Sequence, residues 1–109
     1  VVFMPTAAQA KRAVAALRAE GANSFQIYSG HRDYHIYCDW LPIVHKRSWA
    51  PDNAPWSAEA GAQTLDRDLC PRSLDLLTRA VHIDISPDLT SEQVEELTDA
   101  VNKVFDAVA

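Results

Sequence analysis

Residues 70–109 read CPRSLDLLTRAVHIDISPDLTSEQVEELTDAVNKVFDAVA, four successive elements in one order. Pro71 opens a short helix that carries Leu74 and Leu77 inward. Ala80 to Ile85 alternates, with Val81, Ile83 and Ile85 on one face and His82 and Asp84 on the other, which predicts a strand. Pro87 and Asp88 turn the chain. Thr90 and Gln93 make a capping box, and Leu89 and Val94 sit at the staple positions around it. Val94, Leu97, Val101, Val104 and Val108 then recur at helical spacing, which predicts an amphipathic terminal helix.

Upstream, Val1 to Met4 reads as a strand already in progress. It has neither an initiator Met nor a polar leader, so the chain reads as cut from something longer. Thr6 and Gln9 form another capping box. Ala10, Ala13, Val14 and Leu17 keep a helical period, and Gly21 supplies a left-handed stop, so a helix is predicted from about Thr6 to Glu20. Ser24 to Tyr28 alternates, with Phe25 and Ile27 on one side and Ser24, Gln26 and Tyr28 on the other, a half-buried strand. The order is β-α-β, an excursion, then α-β-α. The expected fold is α+β: one domain over residues 1–109, a small three-stranded antiparallel or mixed sheet with helices packed on one face.

The middle is less periodic. His31 to Arg47, HRDYHIYCDWLPIVHKR, is aromatic and rich in histidine, with a short helix expected from Leu41 to Arg47 and Pro42 in its first turn. Ser48 to Gln63 holds Trp49, Pro51, Pro55 and Trp56 and reads as a long loop, a length usually reserved for function or mobility.

Composition narrows the classes. At 109 residues with 48% hydrophobic and 23% charged residues, the chain has enough apolar content for a core. Its net charge of −5 argues against nucleic acid as the main partner. No apolar run approaches the ~20 residues that span a bilayer, and no signal-peptide pattern is present. Cys38 and Cys70 are too few for a disulfide framework and read as reduced thiols in a cytoplasmic protein.

Leu76-Leu77-Thr78-Arg79, the strand Val81-His82-Ile83, Pro87, and Leu89-Thr90 through Val94 together resemble the C-terminal end of the DegT/DnrJ/EryC1/StrS aminotransferases. Cys70-Pro71-Arg72 is reminiscent of one branch, and Val1 to Met4 followed by a helix ending at Gly21 fits the start of that family's small domain. The resemblance runs over nearly the whole chain. The resemblance implies the small domain of a fold-type I enzyme that moves an amino group from glutamate or glutamine to a keto-sugar or keto-cyclitol. It also implies a homodimer, and pyridoxal phosphate held by a large domain that carries the lysine, the phosphate-binding groups and the ring aspartate. None of these can be assigned to this chain, which alone is expected to bind no cofactor and to be inactive. Many sugar aminotransferases carry His-Tyr-Pro…Pro-Leu-His after the second strand. Here Gly30-His31-Arg32-Asp33-Tyr34-His35 stands there, with Trp40 beyond, which leaves the substrate open.

The resemblance places this segment at the edge of the active-site cleft, so His35 and Tyr34 are the leading substrate contacts. A neutral imidazole and a phenol both hydrogen-bond hydroxyl groups. Arg32 beside them suits a carboxylate of the amino donor or of an acidic sugar, as does Arg79, which otherwise caps the short helix. His31 completes the set. His31 and His35, with Asp33, Cys38 and Asp39 nearby, also have zinc-ligand types, but the stretch does not read as a helix and ordinary loop histidines account for it. His82 and Asp84, with Gln26 and Tyr28 on a neighbouring strand, form either a solvated face or one packed on the large domain. Trp49 and Trp56 suit an interface or a local cluster equally. Two other functions stay open: a non-catalytic α+β binding module, and a sugar dehydratase of the same family.

Overall fold

The structure is a computed structural model that describes residues 1–57 and 65–108. Part of the Ser48–Gln63 loop therefore lies outside the described residues. Two compact units form, one from the chain up to Gly30 and from Arg72 onward, the other from His31–Pro71.

The first unit is α+β. Its strands are β1 (Val2–Phe3), β2 (Ser24–Gln26) and β3 (Ala80–Ile83), in the order β1-β3-β2 with both pairs antiparallel. Helix α1 (Ala7–Ala19) starts at Thr6, whose hydroxyl accepts the Gln9 N–H at 3.2 Å. Gln9 reaches back to that hydroxyl rather than to the backbone, taking its hydrogen at 2.8 Å. Its amide nitrogen donates to the Val108 carbonyl at 3.4 Å, tying the start of α1 to the end of the last helix.

The end of α1 follows from Gly21. Its φ of 87° lets the Gly21 N–H reach Arg18 O at 3.1 Å and the Ala22 N–H reach Leu17 O at 2.9 Å, the paired bonds of a Schellman stop.

The short helix predicted at Pro71 is Pro71–Arg79, with Leu74 and Leu77 half-buried and Leu76 exposed. The terminal helix is Ser91–Val108, and Thr90 and Gln93 close their box reciprocally at 2.9 and 3.3 Å. Counting the short Leu41–Val44 helix as α2, these are α3 and α4.

Ala10, Ala13 and Leu17 of α1, Val81 of β3 and Val104 of α4 anchor the core, with Met4 and Ala22. Leu97, Val101, Phe105, Val108 and Ile83 pack against it. The alanines are the reason for the packing: small residues let α1 lie close on both the sheet and α4.

That closeness reverses the predicted facing of β2. Ser24 is fully buried and Phe25 is 41% exposed. The register pairs Ser24 with Ile83, Phe25 with His82 and Gln26 with Val81. Opposed residues share a face, so Ser24 and Gln26 lie with Val81 and Ile83 on the helix side, while Phe25 lies with His82. The Ser24 hydroxyl sits 3.5 Å from the Val14 carbonyl of α1, a gap too tight for a phenyl ring. Gln26 turns its amide to the Thr78 carbonyl. Two further expectations fail at element ends: β3 stops at Ile83, leaving Ile85 73% exposed, and Val94 is exposed rather than stapled.

In the second unit a 3₁₀ turn, Tyr37–Asp39, leads into α2. Ile36, Cys38 and Asp39 are buried there.

Candidate functional site

The four predicted contacts lie together in sequence on the second unit, and all are exposed. The His35 side chain is 96% and Tyr34 63% exposed. Trp40 donates its indole N–H to the Tyr34 carbonyl at 2.7 Å, which holds the backbone of that residue and leaves the phenol outward. His31 and Arg32 are exposed, and among the described residues no group of three or more metal-ligating side chains converges.

His35 is oriented by Asp33. One Asp33 oxygen accepts the His35 backbone N–H at 2.8 Å and faces Nδ1 of the ring at 2.9 Å. The backbone bond first and the ring bond second hold the Asp33 carboxyl below the ordinary aspartate value, because both favour the charged form.

Of the two residues beneath, sequence reading named Asp39 only as one of several metal-ligand types and missed Arg67. Asp39 is 1% exposed; its Oδ1 meets Arg67 at 2.7 Å and its Oδ2 accepts the Asp33 N–H at 2.8 Å. A buried carboxylate needs such partners, since desolvation penalises an unpaired charge heavily. The only sequence signal was an Asp between a Cys and a Trp in an otherwise aromatic run. Its partner stands 28 positions away and has no motif.

Arg79 is committed internally. Its Nε and Nη2 lie 3.0 Å from Asp75 and its Nη1 donates to the Met4 carbonyl at 3.0 Å, pinning β1 to α3. Trp49 is 99% exposed, whereas Trp56 is half-buried with its indole N–H on the Arg47 carbonyl at 3.3 Å. Cys38 is buried, Cys70 is exposed, and the two form no disulfide.

On the first unit, His82 stacks on Phe25 with ring centroids 4.6 Å apart, and its Nε2 faces Asp84 at 3.1 Å. Asn23 donates to the other Asp84 oxygen. The expected polar face of Gln26, Tyr28, His82 and Asp84 is thus replaced by a mixed one, in which Phe3 (59% exposed), Phe25 and His82 lie on the side away from α1.

Asp84 also borders a groove of about 510 Å³ between the end of α1 and the start of α4. Its apolar lining is Ala22, Leu89, Leu97 and Ala100, and Glu20, Asp84 and Glu96 bring carboxylates to it. These residues do not fit pyridoxal phosphate: the carboxylates oppose its phosphate, and no lysine lines the groove. Lys103 is bound to Glu20 through both carboxylate oxygens, at 2.8 and 2.9 Å.

Comparison of the chain with family profiles, curated proteins and solved structures finds no match. Among the described residues no helix is long and apolar enough to cross a membrane.

Proposed function

We propose that this chain is the small domain of a DegT/DnrJ/EryC1/StrS-type aminotransferase, and that it forms one wall of the substrate cleft. The reaction would carry an amino group from glutamate or glutamine to a keto-sugar or keto-cyclitol. The observation that carries the reading is the sheet. Three antiparallel strands are covered by α1 and α4 on one face, and the other face exposes Phe3 and Phe25. An apolar face of that kind is what a domain leaves when a larger body packs against it. The strand, Pro87 turn and capped helix that resemble the family build the same unit.

In this reading His35, Tyr34, Arg32 and His31 are the substrate side of the domain. His35 and Tyr34 meet hydroxyl groups, and Arg32 a carboxylate. The chain contributes no cofactor lysine, and pyridoxal phosphate belongs to the large domain. The whole enzyme is a cytoplasmic homodimer.

The test has two arms. The full natural reading frame around these residues should encode an upstream lysine-bearing domain, and its product should transaminate a keto-sugar with glutamate or glutamine. The 109-residue chain mixed with pyridoxal phosphate should give no stoichiometric lysine adduct by mass spectrometry. A specific adduct on Lys11, Lys46 or Lys103, or a natural start codon just before Val1, overturns the proposal.

A further inference from the structure

The hydrogen bonds at His35 continue into the protein. Arg67 Nη2 meets Asp39 Oδ1 at 2.7 Å, Asp39 Oδ2 accepts the Asp33 N–H at 2.8 Å, and Asp33 Oδ1 accepts from His35 at 2.8 Å (backbone) and 2.9 Å (ring). The backbone between them is closed by Ile36 N–H to Asp33 O at 3.0 Å and Asp39 N–H to Ile36 O at 2.9 Å. A line of contacts therefore runs from a carboxylate that is 1% exposed to an imidazole that is 96% exposed.

The chemistry of that line gives the ring a defined state. An ionised carboxylate only accepts hydrogen bonds, so the hydrogen between Asp33 and His35 belongs to Nδ1. In the neutral ring Nε2 then carries the lone pair. Without Asp33 in place, the ring would exchange between its two tautomers and many rotamers. A ligand hydroxyl would have to fix them on binding, at a cost in affinity.

We propose that Asp39 and Arg67 are positioning residues for His35: they hold Asp33, and Asp33 presents His35 as the Nδ1–H tautomer with Nε2 as acceptor for a ligand O–H group. The ligand class is a polyhydroxylated molecule. This rests on the reading of His35 as a substrate contact, but the positioning itself is measurable without substrate.

The experiment is nitrogen-15 NMR of the histidine rings in the 109-residue chain, at a pH where they are neutral. His35 should show the Nδ1–H signature. In Arg67→Gln and Asp39→Asn it should move towards a mixture of tautomers, and the Asp33 amide should lose its protection from exchange. Arg67→Lys should restore part of both. His82, whose Nε2 faces Asp84, should carry the opposite tautomer and stay unchanged, which reports that the first unit is intact. Arg67 is 54% exposed, so its Gln variant keeps the test open if Asp39→Asn loosens the second unit. A wild-type His35 in the Nε2–H form, or an unchanged His35 signature in both variants, overturns the proposal. Either result would leave the transamination test untouched, and a failed transamination test would leave the tautomer result standing.

Discussion

Removing Arg67 should be repaired in part by removing the charge it serves. In Arg67→Ala the Asp39 carboxylate, 1% exposed in the native unit, loses its cation and holds the Asp33 N–H less firmly. Breaking a buried pair from one side costs about 3–5 kcal/mol. Arg67 is itself 54% exposed, so water already screens its side of the pair and the cost belongs near the low end, about 3 kcal/mol. At about 1.4 kcal/mol per factor of ten, that is roughly a hundredfold larger open population of the second unit. Adding Asp39→Asn removes the buried charge, and with no guanidinium left to face, its one amide oxygen can turn to the Asp33 N–H, which in the single Asp39→Asn variant it gives up to Arg67. The double variant should therefore be more stable than Arg67→Ala by about 1–2 kcal/mol, the difference between leaving a charge and leaving a neutral group short of partners. Native-state hydrogen exchange of the Ile36, Asp39, Trp40 and Val44 amides, each in a backbone hydrogen bond, reads the change locally. If Asp39→Asn lowers the stability of Arg67→Ala still further, the buried charge is not what the guanidinium neutralises, and the account of this unit fails.

Other perturbations probe the first unit and the exposed turn. Leu17→Ala deletes a fully buried side chain and should cost about 2–5 kcal/mol in urea unfolding. Gly21→Ala meets no atom within 4 Å but keeps a φ of 87°, so thermal unfolding should show a loss of about 1–2 kcal/mol from backbone strain alone. Asp33 is held below its ordinary value by the bonds from His35, so its contribution to stability is present above the unfolded aspartate value and is lost as pH falls through the lower folded one. Carbon-13 NMR titration of the Asp33 carboxyl should show that lowered midpoint, and His35→Ala should move it up by removing the ring bond while leaving the backbone bond.

The readable parts were those whose physics is local. A Thr three residues before a Gln, a Gly after a run of helix formers, and a Pro at a helix start each act within one turn of chain. The helices Ala7–Ala19 and Ser91–Val108 accordingly begin and end within a residue or two of the expected places. Their apolar stripes mark the core for the same reason, since the period of the stripe is the period of the helix. The exposed set His31, Arg32, Tyr34 and His35 was legible as chemistry but not as geometry.

What failed was decided by partners distant in sequence. Alternation places Ser24 and Phe25 on opposite faces but cannot say which face meets a helix. Pairing with β3 puts Phe25 opposite His82, and the approach of α1 favours the small side chain at Ser24. Asp39 and Arg67 carry no motif, and only the folded second unit brings them to 2.7 Å. The sequence by itself thus determined the elements, their caps and the α+β class, because caps and periodicity are written within a few residues. Tertiary structure alone decided the sheet facing, the burial of Asp39 and the line of contacts that orients His35. Each of these depends on two groups meeting across space, and desolvation makes such meetings binding only once the chain has closed around them.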